Sequence, residues 1–206
     1  MKPLLPGILA MAAIVVASNI LVQYPMGGYL TWGALTYPFA FLVTDLTNRL
    51  AGPAAARRVV LAGFATGIAC SLAGTQFIGD SGPLVTLRIA LGSGLAFLTA
   101  QLLDVAIFNR LRQGKWWTAP FVSTLVSSTV DTALFFSIAF SAALVVLEPA
   151  NVVAWAAVPT PLLGLGPALP FWISLAVADW GVKIVLAVAA LVPFRIIVGK
   201  LIAKVA

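Results

Sequence analysis

The chain has no histidine, one cysteine and few charges, with 12 Lys and Arg against 6 Asp and Glu in 206 residues. Without histidine it lacks the usual proton shuttle and the commonest metal ligand. One thiol, Cys70, excludes a disulfide framework within the chain. No CxxC, HExxH, P-loop or GxSxG spacing occurs, which removes the familiar redox, zinc-protease, nucleotide and hydrolase signatures. An intramembrane aspartyl enzyme is disfavoured too, because no Asp sits in a GxGD context. A net charge of +6 could suggest nucleic acid. The basic residues instead lie at the ends of apolar runs, as topology determinants do.

What remains is apolar. The sequence is 62% hydrophobic and 9% charged, with mean hydropathy +1.09. That composition predicts an all-α polytopic membrane protein rather than a soluble domain. The runs predict a single domain of six transmembrane helices, over residues 4–22, 32–50, 59–77, 84–111, 120–147 and 171–198. The first run is long for a signal-peptide core and is read as a span. Pro38 kinks the second span, and Arg57 and Arg58 fall in the short loop after it. The third is rich in small residues (Gly63, Gly67, Ala69, Ala73, Gly74), which favours close helix packing. Residues 148–169 are apolar but carry Pro149, Pro159, Pro161 and Pro167, so they read as an outer loop, partly interfacial.

Six spans put Lys2, Arg49, Arg57, Arg58, Arg110, Arg112, Lys115, Arg195, Lys200 and Lys204 on one side, with Asp80 and Glu148 on the other. By the positive-inside rule both termini are cytoplasmic. TDLTNRL at residues 44–50 and LDVAIFNRL at 103–111 echo each other, but both end a span on the same side, so no inverted repeat is inferred.

Residues 120–140 carry a carboxylate near their midpoint. As a helix they align Ser123, Ser127 and Asp131 at i, i+4, i+8, beside Thr124, Ser128 and Thr132. An ionised Asp in mid-bilayer costs about 2.5–3.5 kcal/mol on insertion scales, so it must find partners. At about 1.5 Å per residue, Asp131 lies about 16 Å from its inner end, and Asp179 and Lys183 about 12 and 18 Å from their outer end. Arg88 lies about 8 Å in from the outer side, and these groups converge towards the midplane, where transporter sites sit. Asp45 and Asp104 lie nearer the inner boundary. There each has a plain alternative role, pairing with Arg49 or Arg110 to orient its helix. Asp179 and Lys183, at i, i+4, could likewise satisfy each other. Trp32, Trp116, Trp117 and Trp172 read as interfacial belt residues. Tyr37, Phe135 and Trp180 lie deeper, where they could stack on a planar ligand. An excess of buried acids suits a proton, a cation or a ligand rich in N–H donors, since a carboxylate accepts two parallel bonds from a guanine-like edge.

These residues resemble the YhhQ-type queuosine-precursor transporters. The resemblance rests on SNILVQ at 18–23, TWGALTYPFAFLVTDLTNR at 31–49 with Arg57 and Arg58, and RIA at 88–90. It continues through QLLDVAIFNRLR at 101–112, Trp116-Trp117, Ala119-Pro120, Ser123-Thr124, Asp131-Thr132, FFSIAF at 135–140, and Asp179 with Lys183. The proline-rich stretch 148–169 departs from the pattern. The resemblance implies a bacterial inner-membrane importer of 7-cyano-7-deazaguanine and its aminomethyl relative, for tRNA queuosine salvage. It implies that Asp131, Asp179 and Lys183 line the site, with Asn19, Gln23, Tyr37, Asp45, Arg88, Gln101 and Asp104 contributing or gating. It calls for no cofactor, metal or nucleic acid. The partners it implies are a small planar purine-like substrate and membrane lipid, with a homo-oligomer left open. The competing reading is a substrate-capture subunit for another vitamin or nucleobase, energised by a separate ATPase.

Overall fold

A computed structural model describes residues 4–79, 82–150 and 152–203. Lys2, Asp80 and Lys204, used above for topology, lie outside them. The chain is an all-α polytopic membrane protein. Its helices are α1 (Leu4–Leu21), α2 (Trp32–Thr36), α3 (Phe39–Ala51), α4 (Pro53–Gly74), α5 (Leu87–Leu111), α6 (Thr118–Phe140) and α7 (Phe171–Ala203). Five of these are long and apolar enough to cross a bilayer: α1, α4, α5, α6 and α7. The shorter α2 and α3 follow one another across a break at Tyr37–Pro38. Pro38 has no N–H to give to the turn before it.

Several boundaries differ from the sequence expectation. Arg57 and Arg58 are not in a loop but on the exposed face of the first turns of α4. Gly52 at φ +85° turns the chain, and Pro53 starts the new helix where a missing N–H costs nothing. Helix α5 starts at Leu87 rather than residue 84, with the Thr86 hydroxyl accepting the Ile89 N–H at 3.2 Å. Helix α6 stops at Phe140 because Ser141 is extended, and residues 142–147 form a separate 3₁₀ turn. Helix α4 ends at Gly74, three residues early, while α7 runs past residue 198 with Pro193 inside it.

The bundle is polar inside and apolar outside. Leu61, Leu72, Leu95, Val185 and Val192 are exposed, as lipid-facing side chains must be. The buried set includes Thr44, Asn48, Gln101, Ser123, Ser127 and Ser128. The apolar core joins Met11 and Val15 of α1, Ala40 of α3, Val59 and Val60 of α4, and Phe97 and Val105 of α5. Gly63 is what lets these helices close up. A Cβ there would sit 2.6 Å from Met11 Cγ and 2.9 Å from Phe97 Cζ.

Arg49, Arg112 and Arg195 lie at one end of the bundle, where Arg49 Nη1 donates to the Arg112 carbonyl at 2.8 Å and Arg195 stacks 4.7 Å over the Trp116 ring. The other end carries two-residue hairpins (β1, Pro25–Met26, with β2, Leu30–Thr31; β3, Ile78–Gly79, with β4, Gly82–Pro83). There residues 148–169 contain no α-helix among the described residues; they form two 3₁₀ turns (Ala154–Ala157 and Leu162–Gly164) and most of the hairpin of β5 (Pro159–Pro161) and β6 (Ala168–Pro170).

Candidate functional site

Three elements bring charge to the middle of the bundle. Helix α7 supplies Asp179 and Lys183 one turn apart, α6 supplies Asp131 and Thr132, and the α2–α3 break supplies Tyr37. The ammonium of Lys183 lies 2.7 Å from Asp131, 2.6 Å from Asp179 and 2.9 Å from the Thr132 hydroxyl. A lysine has three N–H donors, so all three are engaged. Thr132 passes its own hydrogen to Asp179 at 2.9 Å, and Tyr37 donates to the second Asp131 oxygen at 3.1 Å. The Tyr37 ring also faces the ammonium, 5.4 Å from its centroid, which adds a cation–π attraction.

The local expectation that Asp179 and Lys183 satisfy each other is therefore half the arrangement. Two carboxylates share one ammonium, so one formal negative charge remains. The unused chemistry is hydrogen-bond acceptance: lone pairs on Asp131 and Asp179, with no free N–H on Lys183. Asp131 and Lys183 side chains are 4% exposed and Asp179 is 16%, so Asp179 is the edge an incoming molecule meets first.

A second polar layer lies about two helical turns along α6, some 12 Å from Asp131. There Ser123 and Thr124 hydroxyls each approach Asp45 at 3.4 Å. The carboxyls of Asp45 on α3 and Asp104 on α5 lie within hydrogen-bond reach of each other. Neither makes the boundary ion pair with Arg49 or Arg110 that sequence spacing suggested. Among the described residues the ion pairs are those of Lys183 alone. Thr44 donates to Gln101, and Asn48 donates to the Val105 carbonyl at 3.1 Å, which fastens α3 to α5.

The ten candidate residues thus do not share one site. Asp131, Asp179, Lys183 and Tyr37 meet. Asp45, Asp104 and, one turn away, Gln101 form the second layer. Arg88 goes elsewhere, despite a depth that suggested convergence with Asp131. Its guanidinium is fully buried and donates from Nε to the Ile138 carbonyl at 3.1 Å and from Nη2 to the Ser141 carbonyl at 2.6 Å. A cation on the last carbonyls of α6 is a helix C-cap. Asn19 bonds back to the Val15 carbonyl, and Gln23 lies exposed after α1. Trp180 is 37% exposed and donates to Thr129 rather than to the Lys183 cluster. Phe135 starts an aromatic chain through Phe136, Phe140 and Trp155 to Phe171 at the end away from the Arg residues. Sequence reading gave Thr132 no role; its position next to Asp131 on the polar stripe was the available signal.

A family model described as "Putative vitamin uptake transporter" matches residues 31–198. The chain is 40% identical over 141 residues to the queuosine precursor transporter of Escherichia coli, covering 62% of this chain and 64% of that protein. It is 39% identical over 153 residues to the probable queuosine precursor transporter of Haemophilus influenzae, covering 62% and 65%. The Bacillus subtilis protein described in the same words is 33% identical over 129 residues, covering 53% and 56%. The matched stretches thus span a little under two thirds of the first two relatives. No solved structure matches.

Proposed function

The chain belongs to the vitamin uptake transporter family, and from that premise we propose that it imports a queuosine precursor, a planar 7-deazaguanine such as 7-cyano-7-deazaguanine or its aminomethyl relative. It does so in the bacterial inner membrane, as a single six-span domain in which α2 and α3 together make the second crossing. Both termini are cytoplasmic, with the Arg-rich end of the bundle inside.

One observation carries the reading: the acceptor-rich cluster of Asp131, Asp179, Lys183 and Tyr37 buried between α6, α7 and the α2–α3 break. A guanine edge offers two parallel N–H donors, and a carboxylate accepts them side by side. Lys183 cancels one of the two negative charges, which lowers the cost of holding the pair in low dielectric. The cluster is packed shut, so a purine-sized ligand enters only as helices part, as alternating access requires. Asp179, the most exposed member, takes the first contact. Tyr37 and Asp131 then exchange their mutual bond for bonds to the ligand. The names of the relatives support the substrate class.

The test is salvage. The chain is expressed in cells that neither make nor import the precursor, 7-cyano-7-deazaguanine is supplied outside, and queuosine is measured in tRNA. Wild type restores queuosine. Asp131→Asn, losing a charged hydrogen bond of about 1.5–3 kcal/mol, lowers initial uptake by about 10- to 100-fold. No salvage by well-expressed wild type rejects the function, and full salvage by Asp131→Asn rejects the site.

A further inference from the structure

We propose that Asp45 and Asp104 together hold a single proton, at a site separate from the Lys183 cluster, and that this proton is exchanged during each transport cycle. The second half of this inference rests on the transporter reading above; the first half stands on the arrangement of the two carboxyls.

Asp45 is 3% exposed and Asp104 is fully buried. Both Asp104 oxygens are shielded from solvent and have no hydrogen-bonded donor among the described residues, and the Thr44–Gln101 and Asn48–Val105 bonds hold α3 against α5 at this level, which brings the Asp45 carboxyl to Asp104. Two acceptors in contact need a hydrogen between them. If both were ionised, like charges would touch in a low-dielectric interior, which is the arrangement that makes paired carboxyls share one proton. The charged groups around the pair do not relieve it. On α3, Arg49 donates to the Arg112 carbonyl; on α5, Arg110 is exposed and Arg112 reaches the Asn109 side chain. On α4, Arg57 and Arg58 are exposed, and Arg195 of α7 stacks on Trp116. Lys183 and Asp179 on α7 and Asp131 on α6 are engaged with one another. The described part of α1 carries no charge. The donors that remain are Thr124, at 3.4 Å from Asp45, and Ser123, whose one hydrogen is shared among Asp45, Asp104 and the Pro120 carbonyl, so neither relieves both carboxyls.

Asp45 also borders a small space that can take a proton onward. A narrow cleft between α3, α6 and α7 is lined by Leu42, Asp45, Pro120, Thr124, Ala187 and Phe194 and has room for about one water molecule. A proton leaves the pair as O–H on one carboxyl passes its hydrogen to that water, which becomes hydronium and delivers it to the aqueous side. Both carboxylates then stay negative until reprotonation. Two elements tie this event to the Lys183 cluster. Asp45 sits on α3, which begins next to Tyr37, and Ser123 sits on α6 two turns before Asp131. Repulsion between the deprotonated carboxyls pushes α3 from α5, and α3 carries with it the Tyr37 hydroxyl that bonds Asp131. Ser127, midway along α6, is buried, its hydroxyl has no partner among the described residues, and it completes a polar track between the two layers.

The experiment has two arms. The first needs no substrate: infrared spectra of the purified protein in liposomes at pH 7. Wild type and Asp131→Asn show the C=O stretch of a protonated carboxyl, Asp45→Asn and Asp104→Asn each shift it, and the double variant Asp45→Asn/Asp104→Asn lacks it. Its absence from wild type overturns the proposal, as does an unchanged band in the double variant. The second arm measures 7-cyano-7-deazaguanine entry into the same liposomes with and without an imposed pH gradient. If one proton is coupled, each pH unit supports about tenfold accumulation, because a unit is about 1.36 kcal/mol. Asp104→Asn, of the same size and unable to ionise, equilibrates substrate without accumulating it. Accumulation by wild type that ignores the pH gradient, or follows sodium, overturns the coupling. Failure of wild type to take up any precursor rejects the proposed function, while the infrared arm still decides the proton site.

Discussion

Lys183→Met is the sharpest perturbation of the central cluster, because it removes the cation and keeps most of the apolar stem. Wild-type Lys183 holds two carboxylates at 2.7 and 2.6 Å and is 4% exposed, as is Asp131. Removing one partner of a buried ion pair costs about 3–5 kcal/mol, since the other charge is left stranded. Loss of the Tyr37 contact adds about 0.5–2 kcal/mol. Two terms pull the cost down. Asp179 keeps the Thr132 hydroxyl as a donor. The stranded Asp131 can also take a proton, and at pH 7 protonating an ordinary carboxyl of pKa about 3.9 costs about 4 kcal/mol, so the penalty cannot much exceed that. The expected loss is therefore about 3–4 kcal/mol, which lowers Tm on the order of 10 °C for a chain of this size. The assay is thermal unfolding of the purified protein in detergent, followed by Cys70 reactivity or tryptophan fluorescence. The double variant Lys183→Met/Asp131→Asn no longer strands Asp131, so it recovers most of the loss without recovering uptake. A single variant as stable as wild type, or a double variant less stable than the single, refutes the ion-pair reasoning.

Two further outcomes follow from the packing. Arg88→Gln removes two charge-assisted bonds to the α6 C-terminus, each of about 1.5–3 kcal/mol; it lowers Tm strongly, and if the protein that survives fails to bind precursor, Arg88 belongs to the site after all. Gly63→Val forces side-chain atoms where Met11 and Phe97 already lie, costing about 1–3 kcal/mol by overpacking, read as lower Tm; an unchanged Tm means α1, α4 and α5 can separate freely.

The sequence made the membrane class and the long helices plain, because hydropathy and composition act over twenty residues at a time. It also made Asp179 and Lys183 neighbours, since an i, i+4 spacing is local. Depth along the helix brought Asp131 to the same level. What depth could not supply was the direction each side chain faces around its helix. Arg88 is the case in point: at a suitable depth, it turns to the α6 carbonyls because a helix end offers a buried cation ready acceptors. Asp45 shows the converse. Arg49 is its neighbour in sequence, but the fold places Asp104 of α5 beside it, and 59 positions of separation carry no periodic signal. The start of α4 was legible in Gly52-Pro53 but outweighed by the adjacent arginines, whose exposed positions on the helix suit its end just as well.

Titration of the purified protein with 7-cyano-7-deazaguanine, guanine and queuine, for wild type and Asp131→Asn, reaches the central claim most directly. The account predicts saturable binding of the deazaguanine by wild type, and affinity at least about tenfold weaker in Asp131→Asn, in line with one lost charged hydrogen bond. Equal affinity in the two proteins would contradict it, because the ligand would then bind without the buried carboxylate around which α6, α7 and the α2–α3 break are assembled.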